Sequence, residues 1–313
     1  MPFVLYCLLV IVFLLLVSGC YTFVIACIRR KELPWFVEDE IKKTSYGMYY
    51  DYIVKADHYL KEHNAQDVFI KSDDGLKLHG LWVPAENPKG TILLAHGYRS
   101  TKYVDFALVY ELYHNLGMNI LVPDQRSHGQ SEGRFITFGV KESRDMVSWI
   151  SYHNNHFGNT PIILSGLSMG ASTMLYLADQ NLPENVKGII ADCGFTSPKE
   201  IISHVFRKVV HLPPAPTLVV TEFFARLLAG FSLTEKDTIK ALQNSKLPVL
   251  IVHGLADDFV PCQMSKEGFS ACTSEKELLL VEGAGHGHSF LRDPVRYTAK
   301  VKTFLKKNLE EIQ

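Results

Sequence analysis

Ile163-Leu164-Ser165-Gly166-Leu167-Ser168-Met169-Gly170-Ala171-Ser172 is the stretch on which the reading of this chain turns. It holds Gly-x-Ser-x-Gly with Ser168 at the centre. Five positions with three fixed recur by chance, so the context carries the inference. Pro161 to Leu164 is an apolar run that predicts a buried strand. Met169 to Ala178 is rich in helix formers. The serine therefore stands on a sharp strand-to-helix turn, where small neighbours let strand and helix pack closely. Such a turn exposes a hydroxyl beside a helix N-terminus, whose N–H groups can hold a developing oxyanion. The bland alternative is a glycine-rich turn with an idle serine, and partners elsewhere in the chain decide between the two.

Outward from this turn, strand-like and helix-like segments alternate. Val68 to Ser72 and Leu76 to Val83 read as two strands joined at Asp74-Gly75. Further strands are expected at Thr91 to Ala95, Asn119 to Val122, Pro161 to Ser165, Val186 to Asp192, Val249 to His253 and Glu277 to Val281. Helices are expected near Lys102 to Leu116, Lys141 to Tyr152, Met169 to Ala178, Gln263 to Ala271 and Asp293 to Glu310. The pattern predicts an α/β domain, from about 67 to 313, with a mostly parallel eight-stranded sheet and helices on both faces. Ligands in such sheets bind beyond the carboxyl ends of the strands. About 197 to 246 interrupts the alternation with apolar helical segments, Ile201 to Val210 and Leu218 to Phe231, split by Pro213, Pro214 and Pro216. This insertion is too long for a simple connection and reads as a small helical cap. Its apolar faces either line a pocket or pack on the sheet.

The N-terminus is of another kind. Phe3 to Ile28 contains no charge over 26 positions, then Arg29, Arg30 and Lys31 follow at once. At about 1.5 Å per residue a helix of this length crosses a ~30 Å hydrocarbon layer. Residues 1–31 therefore read as an uncleaved transmembrane anchor that meets membrane lipid. A cleaved signal peptide would want basic residues before the apolar run. A lipidated Cys20 in Val17-Ser18-Gly19-Cys20 is a further alternative. Basic residues on the C-terminal side alone place the following domain on the cytoplasmic side. Residues 32–66 read as a linker and a helix near Tyr50 to Glu62. Their tyrosines, Tyr46, Tyr49, Tyr50, Tyr52 and Tyr59, sit at a membrane interface or pack on the domain.

Net charge is −1 in 313 residues, which gives no argument for a nucleic-acid partner. The six cysteines form neither a CxxC nor a metal-ligand pattern with the histidines. They read as buried thiols in a reducing compartment. Oligomeric state leaves no trace in the sequence.

A serine hydroxyl needs an adjacent base, and the base an orienting acid. Asp257 and Asp258 follow the strand that ends in His253-Gly254, a good place for the acid; the bland alternative is that both aspartates cap the next helix. Gly283-Ala284-Gly285-His286-Gly287-His288 follows the last strand and lets a loop aim an imidazole. Ser168, Asp257 and His286 stand in the chain order Ser, Asp, His that such sheets use. The N–H groups of Met169 and of Tyr98, after His96-Gly97, are the expected oxyanion donors. Asp124 through Gly133 is expected to build the floor of the site.

These features together resemble the α/β-hydrolase superfamily, of the bacterial serine esterase, lipase and serine-aminopeptidase type. His96-Gly97, Asp124 through Gly133, Gly166 through Gly170, His253-Gly254 with Asp257 and Val260-Pro261, and Gly285-His286 carry the resemblance, over Val68 to Leu309. Asp257 holds the family's aspartate position before the Val-Pro pair, and His286 its histidine position after Ala284-Gly285. Ser127 departs from the glycine common there. The resemblance implies the α/β-hydrolase fold and hydrolysis through an acyl-enzyme, with no cofactor and no metal. A small-molecule acyl ester is the leading substrate class. Amide or peptide hydrolysis by the same residues ranks lower, because the cap shows no acidic cluster for a substrate amine. A silent binding protein on the same fold is the reading from another class.

Overall fold

The computed structural model describes residues 2–44 and 47–310; Tyr46 lies outside the described residues. Ahead of the sheet come α1 (Pro2–Cys27), α2 (Glu38–Ile41) and α3 (Tyr50–Glu62). Then follow β1 (Gln66–Lys71), β2 (Lys77–Val83), β3 (Gly90–Ala95), α4 (Lys102–Asp105), α5 (Tyr110–Asn115) and β4 (Met118–Pro123). The centre of the chain gives α6 (Val140–Phe157), β5 (Ile162–Leu167), α7 (Met169–Leu175) and β6 (Val186–Asp192). Helices α8 (Pro198–Val210), α9 (Ala215–Phe224) and α10 (Thr238–Gln243) form the small cap. The chain closes with β7 (Val249–Gly254), α11 (Cys262–Ala271), β8 (Lys276–Val281), α12 (Ser289–Arg292) and α13 (Pro294–Glu310).

The eight strands form one sheet in the order β1-β2-β4-β3-β5-β6-β7-β8. Pairing is antiparallel at β1/β2 and β2/β4 and parallel elsewhere. Strands β3, β4 and β7 are buried at every position. That explains why they read as continuous apolar runs and not as alternating ones: helices cover both faces. The edge strand β1 keeps most of its residues in solvent. One apolar core lies on each face of the sheet, around Ile92, Ile120, Ile190 and Phe304 on one side and Leu93, Leu121, Trp149 and Ile189 on the other.

Several expectations shift in detail. The β1–β2 connection spans residues 72–76, longer than a two-residue turn. Ser72 staples it: its Oγ accepts from the Leu76 N–H at 2.8 Å and donates to Asp74 at 2.7 Å. The helix expected over Lys102 to Leu116 is two short pieces, because the chain bends between them and brings Phe106, Tyr110 and Tyr113 into the core. Helix α9 begins before Leu218, with Pro214 and Pro216 at its first turn, where missing N–H groups cost nothing. All six cysteines are free thiols. Two of the tyrosines before the sheet, Tyr49 and Tyr59, bond the domain. Tyr59 Oη bonds His114 Nδ1 at 2.9 Å and Tyr49 Oη bonds His288 Nε2. Ser127 holds φ +65°, the left-handed region where glycine is the usual residue, and its Oγ donates to the Phe135 carbonyl at 2.8 Å.

Residues 124–133 hold a buried ionic network behind the strand ends. Asp124 receives Lys102 Nζ at 2.6 Å and His79 Nδ1 at 2.7 Å. Burial works against the Asp124 charge, but His79 and Lys102 outweigh it and hold the carboxyl well below its usual range. Arg126 meets Asp145 through two bonds of 2.6 and 2.7 Å and Asp74 at 2.8 Å. Removing one member leaves an uncompensated buried charge, so Asp124→Ala should cost about 3 kcal/mol or more in denaturant unfolding. The sign of the pH effect follows from the depressed pKa. The stability Asp124 supplies is complete above its unfolded value near 4 and fades as pH falls below it, and the variant should lack that acid-side loss.

Candidate active site

Ser168 ends β5 and begins α7 with φ +56° and ψ −116°. This backbone is strained for a residue with a Cβ. The turn survives because nothing larger than hydrogen fits at its flanks. A Cβ on Gly166 would lie 2.3 Å from the Gly170 carbonyl, and one on Gly170 would lie 1.7 Å from the Ala95 oxygen. The Ser168 N–H is held by the Asp192 carbonyl at 2.8 Å, so β3, β5 and β6 together fix the turn.

Into this turn reaches the loop after β8. His286 Nε2 lies 2.8 Å from Ser168 Oγ, and His286 Nδ1 lies 2.7 Å from Asp257 Oδ2. Asp257 is anchored from behind: its Oδ1 accepts the N–H groups of Phe259 and Val260, each at 2.9 Å. Its Oδ2 also lies 3.1 Å from His253 Nε2. Burial raises the Asp257 pKa, but the bonds from His253 and His286 prevail and keep it ionised, well below the ordinary range. Asp258 points away into solvent, 3.3 Å from Lys208. His288 sits at the cleft rim beside Tyr49. The structure therefore brings Ser168, His286 and Asp257 into one hydrogen-bonded row and leaves Asp258 and His288 outside it.

Across the row stands the loop after β3. Its path is set by a residue that the sequence reading passed over. Asp105, from α4, accepts the Gly97 N–H and the Ser100 hydroxyl, each at 2.5 Å. Burial pushes its carboxyl up to about 6, against those two bonds. The Arg99 N–H donates to His128 Nε2 at 3.0 Å. Tyr98 lies between these two tethered amides. Its own hydroxyl and the Arg99 guanidinium turn the other way and bond the last carbonyls of α1: Tyr98 Oη to Ala26 at 2.8 Å, Arg99 to Ile25 at 2.6 Å and Ile28 at 2.9 Å. A cation at a helix C-terminus complements its dipole. Arg29 adds bonds of 2.7 Å to the carbonyls of Gly129 and Ser131. The apolar helix is thus bolted to the loop that faces Ser168.

A cleft of about 750 Å³ opens over Ser168 and His286. Its wall comes from the segment after α1, with Arg30, Leu33, Trp35, Tyr49 and Tyr52, and from Tyr98, Leu167 and Phe259. Residues of the cap are absent from this lining. The cap packs instead against the end of α1, Met169 and Phe138. The cap thus neither lines the cleft nor packs chiefly on the sheet, and the segment after α1 takes the place the cap was expected to fill.

A profile of the α/β-hydrolase fold matches residues 90–231. The uncharacterised protein YqkD of Bacillus subtilis is 30% identical over 238 residues, which is 75% of this chain and 77% of that one. This chain belongs to the α/β-hydrolase family. An uncharacterised membrane protein of Saccharomyces cerevisiae is 24% identical over 226 residues, covering 71% of this chain and 73% of its own. Among solved structures, the esterase Pf2001 of Pyrococcus furiosus superposes with a TM-score of 0.65 at 22% identity, over 80% of this chain and 96% of that one. The acylaminoacyl peptidase of Pyrococcus horikoshii gives 0.57 at 17% identity, over 80% of this chain and 42% of that one. Likeness at these identities is likeness of fold.

Asp105 offers a test of the loop tether. Asp105→Ala leaves the Gly97 N–H without an acceptor in a buried place, which should cost about 2 kcal/mol. Asp105→Asn can keep that bond through its amide oxygen and should cost less. Because the folded pKa is raised, the favourable contribution of Asp105 is complete below its unfolded value near 4 and is lost as pH rises through about 6. Thermal unfolding of the wild type and Asp105→Asn from pH 4 to 7 should move in favour of the asparagine as pH rises. A constant difference across that window would reject the tether as described.

Proposed function

We propose that this α/β-hydrolase is a membrane-anchored serine hydrolase that cleaves carboxylic esters through an acyl-enzyme. The row from Ser168 through His286 to Asp257, at 2.8 and 2.7 Å, is the observation that supports this reading. His286 Nε2 takes the Ser168 proton as Oγ attacks the ester carbonyl. Asp257 fixes the Nδ1–H tautomer and balances the imidazolium. The N–H of Met169, in the first turn of α7 and so without an intrahelical acceptor, and that of Tyr98 receive the oxyanion. His286 then gives its proton to the leaving alcohol, and the ester C–O bond breaks. Water attacks the acyl-enzyme with His286 again as base. The chemistry draws on the chain's own groups throughout.

The cleft favours an acyl substrate. Tyr98, Val104, Leu108, Leu167, Phe259 and Leu291 supply apolar lining. Its two carboxylates are engaged, Glu32 by the Gly129 N–H and Asp105 by Gly97 and Ser100. Among the described residues, no acidic cluster for a substrate amine forms along this lining, which keeps ester hydrolysis ahead of aminopeptidase-like amide hydrolysis. Helix α1 is long and apolar enough to cross a membrane, and its surface is largely exposed. We read it as a single-pass anchor with the catalytic domain on the cytoplasmic side, on the strength of Arg29, Arg30 and Lys31.

Ser168→Ala should abolish hydrolysis of p-nitrophenyl esters and labelling by a fluorophosphonate, with the fold kept. Asp257→Asn should lower turnover by about 10⁴-fold, while Asp258→Asn stays near wild type. Labelling of the Ser168→Ala protein at wild-type yield, or equal losses at the two aspartates, would overturn the assignment. For orientation, external protease should spare the domain in intact cells and digest it in inverted vesicles; the reverse result places the domain outside.

A further inference from the structure

We propose that the cap is a second membrane-embedded element: the outer face of α9 and the turn after it lie in bilayer hydrocarbon beside α1. The inference rests on α1 being a membrane span, as proposed above.

The seat of α9 on α1 carries the argument. Ser18 Oγ lies 3.2 Å from Thr217 Oγ1, and Thr221 Oγ1 donates to the Gly19 carbonyl at 3.2 Å. The contact is close because residue 19 is glycine: a Cβ there would lie 2.3 Å from Val220 Cβ. Further along, the rings of Phe23 and Phe224 stand 6.1 Å apart. The matched pairs ascend together, so the two helices run parallel. Small residues that let two backbones approach are the usual device for packing helices within lipid, where apolar burial alone gives no drive.

The level of this contact lies inside the apolar span. Tyr21, Val24 and Ile25 of α1 remain exposed beyond it, and no charge occurs before Arg29. Ser18 precedes Arg29 by about 16 Å of helix axis. An element packed on α1 at that depth shares its surroundings.

Helix α9 has the surface for them. Leu212 to Thr221 carries no charge. Val219, Phe223 and Leu227 recur four residues apart and are 71%, 57% and 63% exposed, with Leu228 at 51%. At 100° per residue this stripe borders the row of Thr217, Val220 and Phe224 that faces α1. The two apolar surfaces are therefore continuous. The one charge of α9, Glu222, lies on its other edge, where it pairs with Arg226 of the following turn and accepts from the Ser232 hydroxyl at 2.6 Å and the Leu233 N–H at 2.7 Å; the Arg226 side chain stays largely exposed along that edge. An exposed apolar patch of this kind marks an interaction surface. Its continuity with α1 selects lipid as the occupant over a second copy of the chain.

The test uses the full chain in phosphatidylcholine nanodiscs, with the photocrosslinker p-benzoylphenylalanine placed singly at Val10, Val219, Phe223, Leu227 or Lys266. Val10 reports the anchor, and Lys266, exposed on α11, reports background. Lipid adducts at Val219, Phe223 and Leu227 should match those at Val10 and exceed those at Lys266 by about tenfold or more, as partition of an apolar site from water to hydrocarbon requires. Adducts at Val10 with only background at the three α9 positions would overturn the proposal and leave the anchor standing. Protein–protein adducts at those positions in place of lipid adducts would also overturn it, in favour of a second copy. Background at Val10 as well would remove the anchor and the proposal together.

Discussion

The approach of the first turn of α7 to the ends of β3 and β5 is the constraint on which this architecture depends. With 1.7 Å between a would-be Gly170 Cβ and the Ala95 oxygen, residue 170 must be glycine or the helix must move away from the sheet. That closeness holds Ser168 in a left-handed conformation at the strand end, with its N–H taken by Asp192. Strain of roughly 1–3 kcal/mol at one residue is small beside the surrounding burial, since β3, β5 and β6 are held by cores on both faces. The sheet thus over-determines the position of one hydroxyl, and the neighbouring loops need only meet it.

The loops meet it with unequal freedom. Asp257 is locked by two backbone amides and by His253, so it can orient His286 without moving. His253 touches no cleft atom; it acts through Asp257 and is itself held by Ser265 Oγ at 2.7 Å and the Val260 carbonyl at 3.0 Å. The loop after β3 is fixed by Asp105 on one side and His128 on the other. On the proposed reading, donors preorganised in this way would stabilise developing charge without reorganising during the reaction. Gln125, bonded to His96, and Asp124, which receives Lys102, tie this loop to the floor.

What could be read from the sequence follows the range of the interactions. The sheet was readable because strands buried on both faces are written as local apolar runs. Ser168 and His286 were readable because each follows a strand end amid small residues, Asp257 because it follows a strand end and holds the family's position before Val260-Pro261, and the order of the three is that of the sheet. Asp105 was not, since nothing local distinguishes an aspartate in a short helix from a solvated one; its role depends on meeting Gly97 in space. The wall of the cleft was misplaced for the same reason. An insertion between β6 and β7 is visible as a break in alternation, whereas Arg30, Leu33, Trp35, Tyr49 and Tyr52 reach the cleft from a chain whose start is held where Tyr98, Arg99 and Gly129 meet the end of α1.

That last contact joins the two halves of the molecule. A helix ending in free linker would let the domain turn independently of it. Here Tyr98 and Arg99 of one loop, and Gly129 and Ser131 of another through Arg29, fix the helix end against the strand ends, so the cleft keeps one attitude to the helix axis. Arg30 and Lys31 follow the apolar helix closely and line the same cleft, as do Trp35, Tyr49 and Tyr52. On the proposed reading, an amphiphilic ester would find cationic side chains at headgroup level and an apolar wall leading to Ser168. The chain would thereby use the residues that end its anchor to build the entrance to its site, which explains why a short linker folds back over the cleft before the sheet begins.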